Sequence, residues 1–107
     1  MERLRQRADF LAAAAAMKVP TAAFVLQVRK RNDEGPLRVG FTVSRRVGTA
    51  VERNRVRRRL KEVVRLCAGL PAGNDYVLVG RREALSRPFG AMVEDFKRAV
   101  ARLRVTK

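Results

Sequence analysis

Between Leu37 and Cys67 the hydrophobic period changes once, and that change limits the fold more than any other feature of the chain. In LRVGFTVS, Leu37 to Ser44, the residues Leu37, Val39, Phe41 and Val43 alternate with Arg38, Gly40, Thr42 and Ser44. That is the period-2 pattern of a strand with one buried face. From about Ala50 to Ala68 the apolar residues recur at threes and fours, and Gly69 with Pro71 supply the stop signals of a helix. With Val56 at zero and about 100° per residue, Leu60, Val63, Val64 and Cys67 fall within roughly 80° of it. This stripe is expected to face the sheet.

The rest of that helix cannot be explained by packing. VERNRVRRRLKEVVR, Val51 to Arg65, carries seven positive charges in fifteen residues. Asn54, Arg55, Arg57, Arg58, Arg59, Lys61 and Arg65 fill the polar arc, which only Glu62 interrupts. A solvated helix face usually mixes signs, because like charges at i,i+4 cost a few tenths of a kcal/mol per pair. Here Arg57 and Lys61, and Lys61 and Arg65, are such pairs. The face is therefore read as held for a polyanion. Six of the seven cations are Arg, whose planar fork suits bidentate phosphate contact.

Around this helix the chain reads as a small α+β unit. DFLAAAAAM, Asp9 to Met17, is expected to be a short helix started by Asp9 and ended by Pro20. AAFVLQVR, Ala22 to Arg29, is β-prone, and KRNDEGP, Lys30 to Pro36, is turn chemistry. The two runs on either side of that turn are expected to pair antiparallel. NDYVLVGR, Asn74 to Arg81, reads as a well-buried strand. Ser86 offers an N-cap and Pro88 a first-turn residue to a last helix with Phe89, Met92, Val93, Phe96, Val100 and Leu103 on one face. The 107 residues, 47% hydrophobic, make one compact domain, 1–107.

The composition narrows the function. A formal charge of +15 on so short a chain is self-repelling unless a polyanion neutralises it, and nucleic acid is the leading candidate. A membrane surface is disfavoured, because the basic helix spends its apolar face on a core. No run approaches the length of a membrane span, and MERLRQRAD at the start is too charged for a signal peptide. A cytoplasmic location is expected. With no histidine and one cysteine, Cys67, there is no disulfide and no metal cluster of His or Cys. Cys67 is read as a small hydrophobe in the apolar stripe. Glu34, Asp75, Glu83, Glu94 and Asp95 are scattered, so no two-metal nuclease site and no catalytic residue is assigned to the chain.

The residues also resemble a known family. GFTVSRRVGTAVERNRVRRRLKEVVR, Gly40 to Arg65, contains Arg53-Asn54-Arg55 and resembles the block around the RNR signature of the protein subunit of bacterial ribonuclease P. MERLRQRADF at the start, Phe24 to Leu26, and LPAGNDYVLVGRR from Leu70 to Arg82 are similar to the family's first helix, first strand and fourth strand, in that order. The resemblance covers nearly the whole chain. It implies an α+β single-domain α/β sandwich of order α-β-β-β-α-β-α, with helices packed on a mostly antiparallel central sheet, a ribosomal S5 domain 2-like fold.

In that family a large RNA with bound Mg²⁺ removes the 5′ leader from precursor transfer RNA, and the protein assists. The resemblance thus implies two RNA partners, the catalytic RNA and precursor tRNA, with Mg²⁺ held mainly by the RNA; it implies no membrane and no obligate protein partner. Arg53, Asn54, Arg55, Arg57, Arg58, Lys61 and Arg65 would contact the catalytic RNA, although the wheel puts Arg53 near the apolar edge, where it would instead help to seat the helix. A cleft between the first helix and the sheet would hold the single-stranded leader, with Phe10 as stacking platform and Arg45, Arg46, Arg81 and Arg82 as flanking cations. Phe24 and Phe41 belong to the core or to the cleft edge. The chain departs from the family's pattern at Ala14 and Gln27, where aromatics are common, and at Thr49, where a basic or amide residue is common. Leader contact is therefore expected to lean on charge. The competing readings are a structural RNA-binding protein of ribosomal type and, disfavoured for want of a helix-turn-helix, a DNA-binding module.

Overall fold

The computed structural model describes residues 2–31, 33–67 and 70–105. In chain order its elements are β1 (Glu2–Arg3), α1 (Arg7–Ala14), β2 (Met17–Pro20), β3 (Phe24–Lys30), β4 (Arg38–Thr42), α2 (Ala50–Arg65), β5 (Asn74–Gly80) and α3 (Phe89–Val105), with 3-10 turns at Arg45–Val47 and Arg82–Leu85. Beyond the short β1, this is the expected order. The five strands form one sheet, β1-β4-β5-β3-β2. The longest ladder, β3 with β5, is antiparallel, as is β2 with β3. β4 runs parallel to both β1 and β5.

β5 occupies the centre, and this corrects the expected pairing of β3 with β4. Alternation shows that each strand has a buried face but not which strand lies beside it. The link after β3 passes over the start of β5: the Arg31 amide donates to the Gly73 carbonyl at 3.0 Å, and the Gly73 amide to the Gly35 carbonyl at 2.9 Å. β4 thus comes down on the far side of β5. The β4-α2-β5 unit is a parallel pair joined by a helix, the connection that parallel strands require.

Each sheet face carries its own layer. On one, Phe24, Leu26, Val39, Tyr76 and Leu78 pack under α2 and α3. Val56, Leu60 and Val63 of α2 and Met92 and Phe96 of α3 are fully buried, so both helical stripes face the core as expected. The Phe24 and Phe96 rings lie 6.2 Å apart at 53°, a tilted aromatic pair. Phe24 is thus core. On the other face α1 covers Val77 and Val79, with Leu4, Phe10 and Ala13. Ala13 is 0% exposed, and its small side chain lets the helix lie close to the strand.

Under α1 a charged network fixes the helix to the sheet. Asp75, 0% exposed, sits in register between Arg29 on β3 and Arg38 on β4. Arg38 grips both its carboxylate oxygens at 2.8 Å, and Arg31 donates to it at 2.5 Å. Burial acts to raise the Asp75 pKa, but the hydrogen bonds from Arg38 and Arg31 outweigh it and hold the carboxyl below the usual range. Asp9 joins the network through Arg29 at 3.2 Å and Arg38 at 3.4 Å.

Asp9 therefore does not start α1. The N-cap is Gln6, and Asp9 lies in the first turn, reaching across to the sheet. The helix also ends earlier than expected, at Ala14, because Met17–Pro20 forms an edge strand on β3. Pro20 closes that strand, at an edge where a missing amide is tolerated. Ser86 does not N-cap α3, which starts at Phe89; its amide instead closes the preceding 3-10 turn on Glu83 at 3.2 Å. The stop signal at Gly69 lies outside the described residues. Cys67 is half-buried against the core, and burial raises its thiol pKa.

Candidate nucleic-acid interface

The start of α2 is set by its own sequence. Thr49 is the N-cap: its hydroxyl accepts from the Glu52 amide at 3.2 Å while the Glu52 carboxylate accepts from the Thr49 amide at 2.9 Å. This capping box satisfies two helix-end amides at once. That bond, followed by one from Arg82, lowers the Glu52 pKa. Gly48 makes room for the arrangement, since a Cβ at its φ of +154° would lie 2.3 Å from Glu52 Oε1. Thr49 thus sets the start of the helix.

The polar arc of α2 divides into different surroundings. Arg55, Arg58 and Lys61 are exposed and have no side-chain partner among the described residues. Asn54 is exposed and accepts from Arg57 Nη1 at 3.0 Å. Arg65 is held by Glu62 at 2.8 Å, which neutralises part of the arc's C-terminal end. Arg59 is drawn down beside α3, where Nη2 donates to the Arg87 carbonyl. Arg53 is half-buried, with Nε shielded from solvent and unpartnered. It sits at the edge of the apolar stripe, as the wheel places it.

Beside this helix, between α1 and β4, runs an open groove of about 480 Å³. Phe10 forms part of its wall, resting on Gly40, where a Cβ would come within 2.6 Å of the ring. Phe41 lines the same groove while packing against the core, so it belongs to both. The groove's cations are Arg5, Arg7 and Arg57. Arg5 and Arg7 escaped the reading of the sequence, although Arg7 and Phe10 at i,i+3 on α1 share a face. That spacing was the available signal.

The four flanking arginines lie at the end where β4 and β5 finish. Arg45 and Arg46 are exposed in the turn that follows β4, two and three residues beyond the groove-lining Val43. Arg81 donates to the Thr21 carbonyl at 3.1 Å. Arg82 donates to the Val47 carbonyl at 2.6 Å and pairs with Glu52 at 3.3 Å. Arg81 and Arg82 therefore brace neighbouring chain segments, whereas Arg45 and Arg46 have no side-chain partner among the described residues.

Comparison with known proteins fits this arrangement. A family profile described as Ribonuclease P matches residues 1–104. The chain belongs to the ribonuclease P protein family. The ribonuclease P protein component of Ruegeria pomeroyi is 46% identical over 110 residues, covering 97% of this chain and 87% of the relative. That of Gluconacetobacter diazotrophicus is 46% identical over 101 residues, covering 92% and 87%. Among solved structures, the ribonuclease P protein of Thermotoga maritima superposes with a TM-score of 0.79 at 30% identity, covering 95% of this chain and 97% of its own. The Staphylococcus aureus protein, at 21% identity and a TM-score of 0.78, shares the fold and covers 100% and 96%.

Among the described residues Asp9, Asp33, Glu52, Glu62, Asp75 and Asp95 are paired with arginines. Asp95 is held by Arg87 at 2.6 Å and Arg98 at 2.7 Å, and these bonds, Arg87's first, lower its pKa. Among the described residues no three of His, Cys, Asp and Glu come together as metal ligands would. No helix among them is long and apolar enough to cross a membrane.

Proposed function

We propose that this chain is the protein component of a cytoplasmic ribonuclease P ribonucleoprotein. It binds the catalytic RNA along α2 and the 5′ leader of precursor tRNA in the Phe10 groove, and so assists the RNA-catalysed endonucleolytic cleavage that gives the mature tRNA 5′ end. The observation that carries this reading is a cationic helix face, on which Arg55, Arg58 and Lys61 have no side-chain partner among the described residues, beside a groove with an aromatic wall, in a member of this family. A cationic groove with a stacking surface grips single strands with little sequence preference. Mg²⁺, in this reading, is bound by the RNA.

Arg53 anchors the helix through its edge position, and Asn54 orients Arg57. Arg55, Arg58, Lys61 and Arg65 meet phosphates of the catalytic RNA. Arg57 stands between the two RNAs, since it belongs to α2 and lines the groove. Arg5 and Arg7 join Arg45 and Arg46 as leader contacts, and Arg81 and Arg82 shape the groove's end. A ribosomal-type RNA-binding role would use the same charge but would not need the groove.

Binding of a bacterial ribonuclease P RNA, measured against salt, tests this assignment. Lys61→Ala is expected to weaken binding and reduce the log-log salt slope by about 0.7 to 0.9, one phosphate contact, with the preference for substrates carrying a leader unchanged. An unchanged slope assigns Lys61 to a solvated face.

A further inference from the structure

The cationic face of α2 borders two grooves. One flank, through Arg57, closes the Phe10 groove. The other, through Arg55, Arg58 and Arg59, meets the start of α3 and forms with Glu62 and Phe89 an open groove of about 420 Å³.

The chemistry of this groove is specific. Arg55 and Arg58 have no side-chain partner among the described residues, whereas Glu62, its one carboxylate, is neutralised by Arg65 at 2.8 Å. Arg59 is held in place by the Arg87 carbonyl, with its Nε buried and unpartnered. Phe89 is half-buried, packing against the core while lining the groove. Beside it the surface is open, since a Cβ at Gly90 would meet nothing within 4 Å. The first turn of α3 adds the partial positive charge of a helix N-terminus. Two free guanidinium groups beside an aromatic ring favour a ligand that is both anionic and planar.

We infer that the groove between α2 and α3 is a second nucleotide site, which takes one unpaired nucleotide of the catalytic RNA, its base against Phe89 and its phosphate on Arg55 and Arg58. The inference rests on the reading of α2 as an RNA-binding helix. An unpaired nucleotide is required, because only a base outside the stack can offer its face to a side chain. α2 is then gripped on both flanks, with the leader on one side and the catalytic RNA on the other.

The test uses the full chain with a bacterial ribonuclease P RNA, reading affinity and chemical protection of unpaired nucleotides. Phe89→Leu, which keeps the apolar packing, is expected to lower affinity about tenfold, the scale of one lost base-aromatic stack, with the salt slope unchanged. One nucleotide protected by the wild type should become reactive. Phe89→Tyr, which keeps the ring, should bind as the wild type does. Arg58→Ala should expose the same nucleotide and lower the slope, and it decides the matter if Phe89→Leu does not fold. Unchanged protection in Arg58→Ala, or a folded Phe89→Leu that binds normally, overturns the inference. If Lys61→Ala still weakens binding in that case, the wider reading of α2 survives; if it too is silent, the wider reading is what failed.

Discussion

Gly40 and Asp75 make the account testable at the scale of single residues. A methyl group at Gly40 would lie 2.6 Å from two atoms of the Phe10 ring and 3.1 Å from Leu4 Cβ, so Phe10 has to move. Gly40→Ala is expected to cost about 1 to 3 kcal/mol, the range for an overpacked site. It should also erase the affinity difference between precursor and mature tRNA in the assembled particle, with catalytic-RNA binding intact. A folded Gly40→Ala protein that keeps the difference would show that the groove does not hold the leader. Asp75→Asn leaves Arg31 and Arg38 without their shared carboxylate, and urea denaturation should show a loss of about 3 to 5 kcal/mol. Because the folded pKa of Asp75 is depressed, its contribution is fully present above the ordinary carboxylate value of about 3.9 and is lost as pH falls through the folded pKa. Stability of the wild type should therefore fall more steeply than that of Asp75→Asn below about pH 4. Asp75 itself was visible in the sequence only as one scattered acid, since nothing local shows that arginines from both neighbouring strands close on it.

At the scale of elements, legibility followed the strength of the periodic signal. α2 and α3 begin at or near their expected positions because each carries a long apolar stripe. The alanine run had helix propensity but no stripe to fix its end, and pairing of Met17–Pro20 with β3 overrode that propensity. The order of strands was hidden for another reason: period-2 alternation is blind to neighbours, and the position of β5 depends on the contacts of the preceding link with Gly73. In the candidate site the basic helix was legible from charge alone. Its division into two flanks was not, because it depends on where α1 and α3 dock. The capping box offers a test confined to one element. Thr49→Ala should cost about 1 kcal/mol in chemical denaturation, and Thr49→Ser should recover most of it. Full stability of Thr49→Ala would mean that packing of α2 on the sheet alone fixes its start.

For the whole molecule, a charge of +15 on 107 residues is organised rather than diffuse. Arg29, Arg31, Arg38, Arg87 and Arg98 are consumed by Asp9, Asp75 and Asp95, and the pairs at the buried Asp75 tie β4 to β5. Among the cations left over, Arg55, Arg57, Arg58 and Lys61 lie on α2, Arg5 and Arg7 line the Phe10 groove, and Arg45 and Arg46 stand in the turn after β4. The fold thus separates structural charge from charge available to a partner, and in a member of the ribonuclease P protein family that partner is read as RNA. In this reading the chain assists a catalytic RNA without supplying catalytic groups of its own. The most direct test is cleavage of precursor tRNA by a bacterial ribonuclease P RNA at low Mg²⁺, with and without this protein. The protein is expected to stimulate cleavage at the mature 5′ end at low Mg²⁺ and to cleave nothing without the RNA. Absence of stimulation by folded protein, with an RNA active at high Mg²⁺, would contradict this reading, as would cleavage at that site by the protein alone.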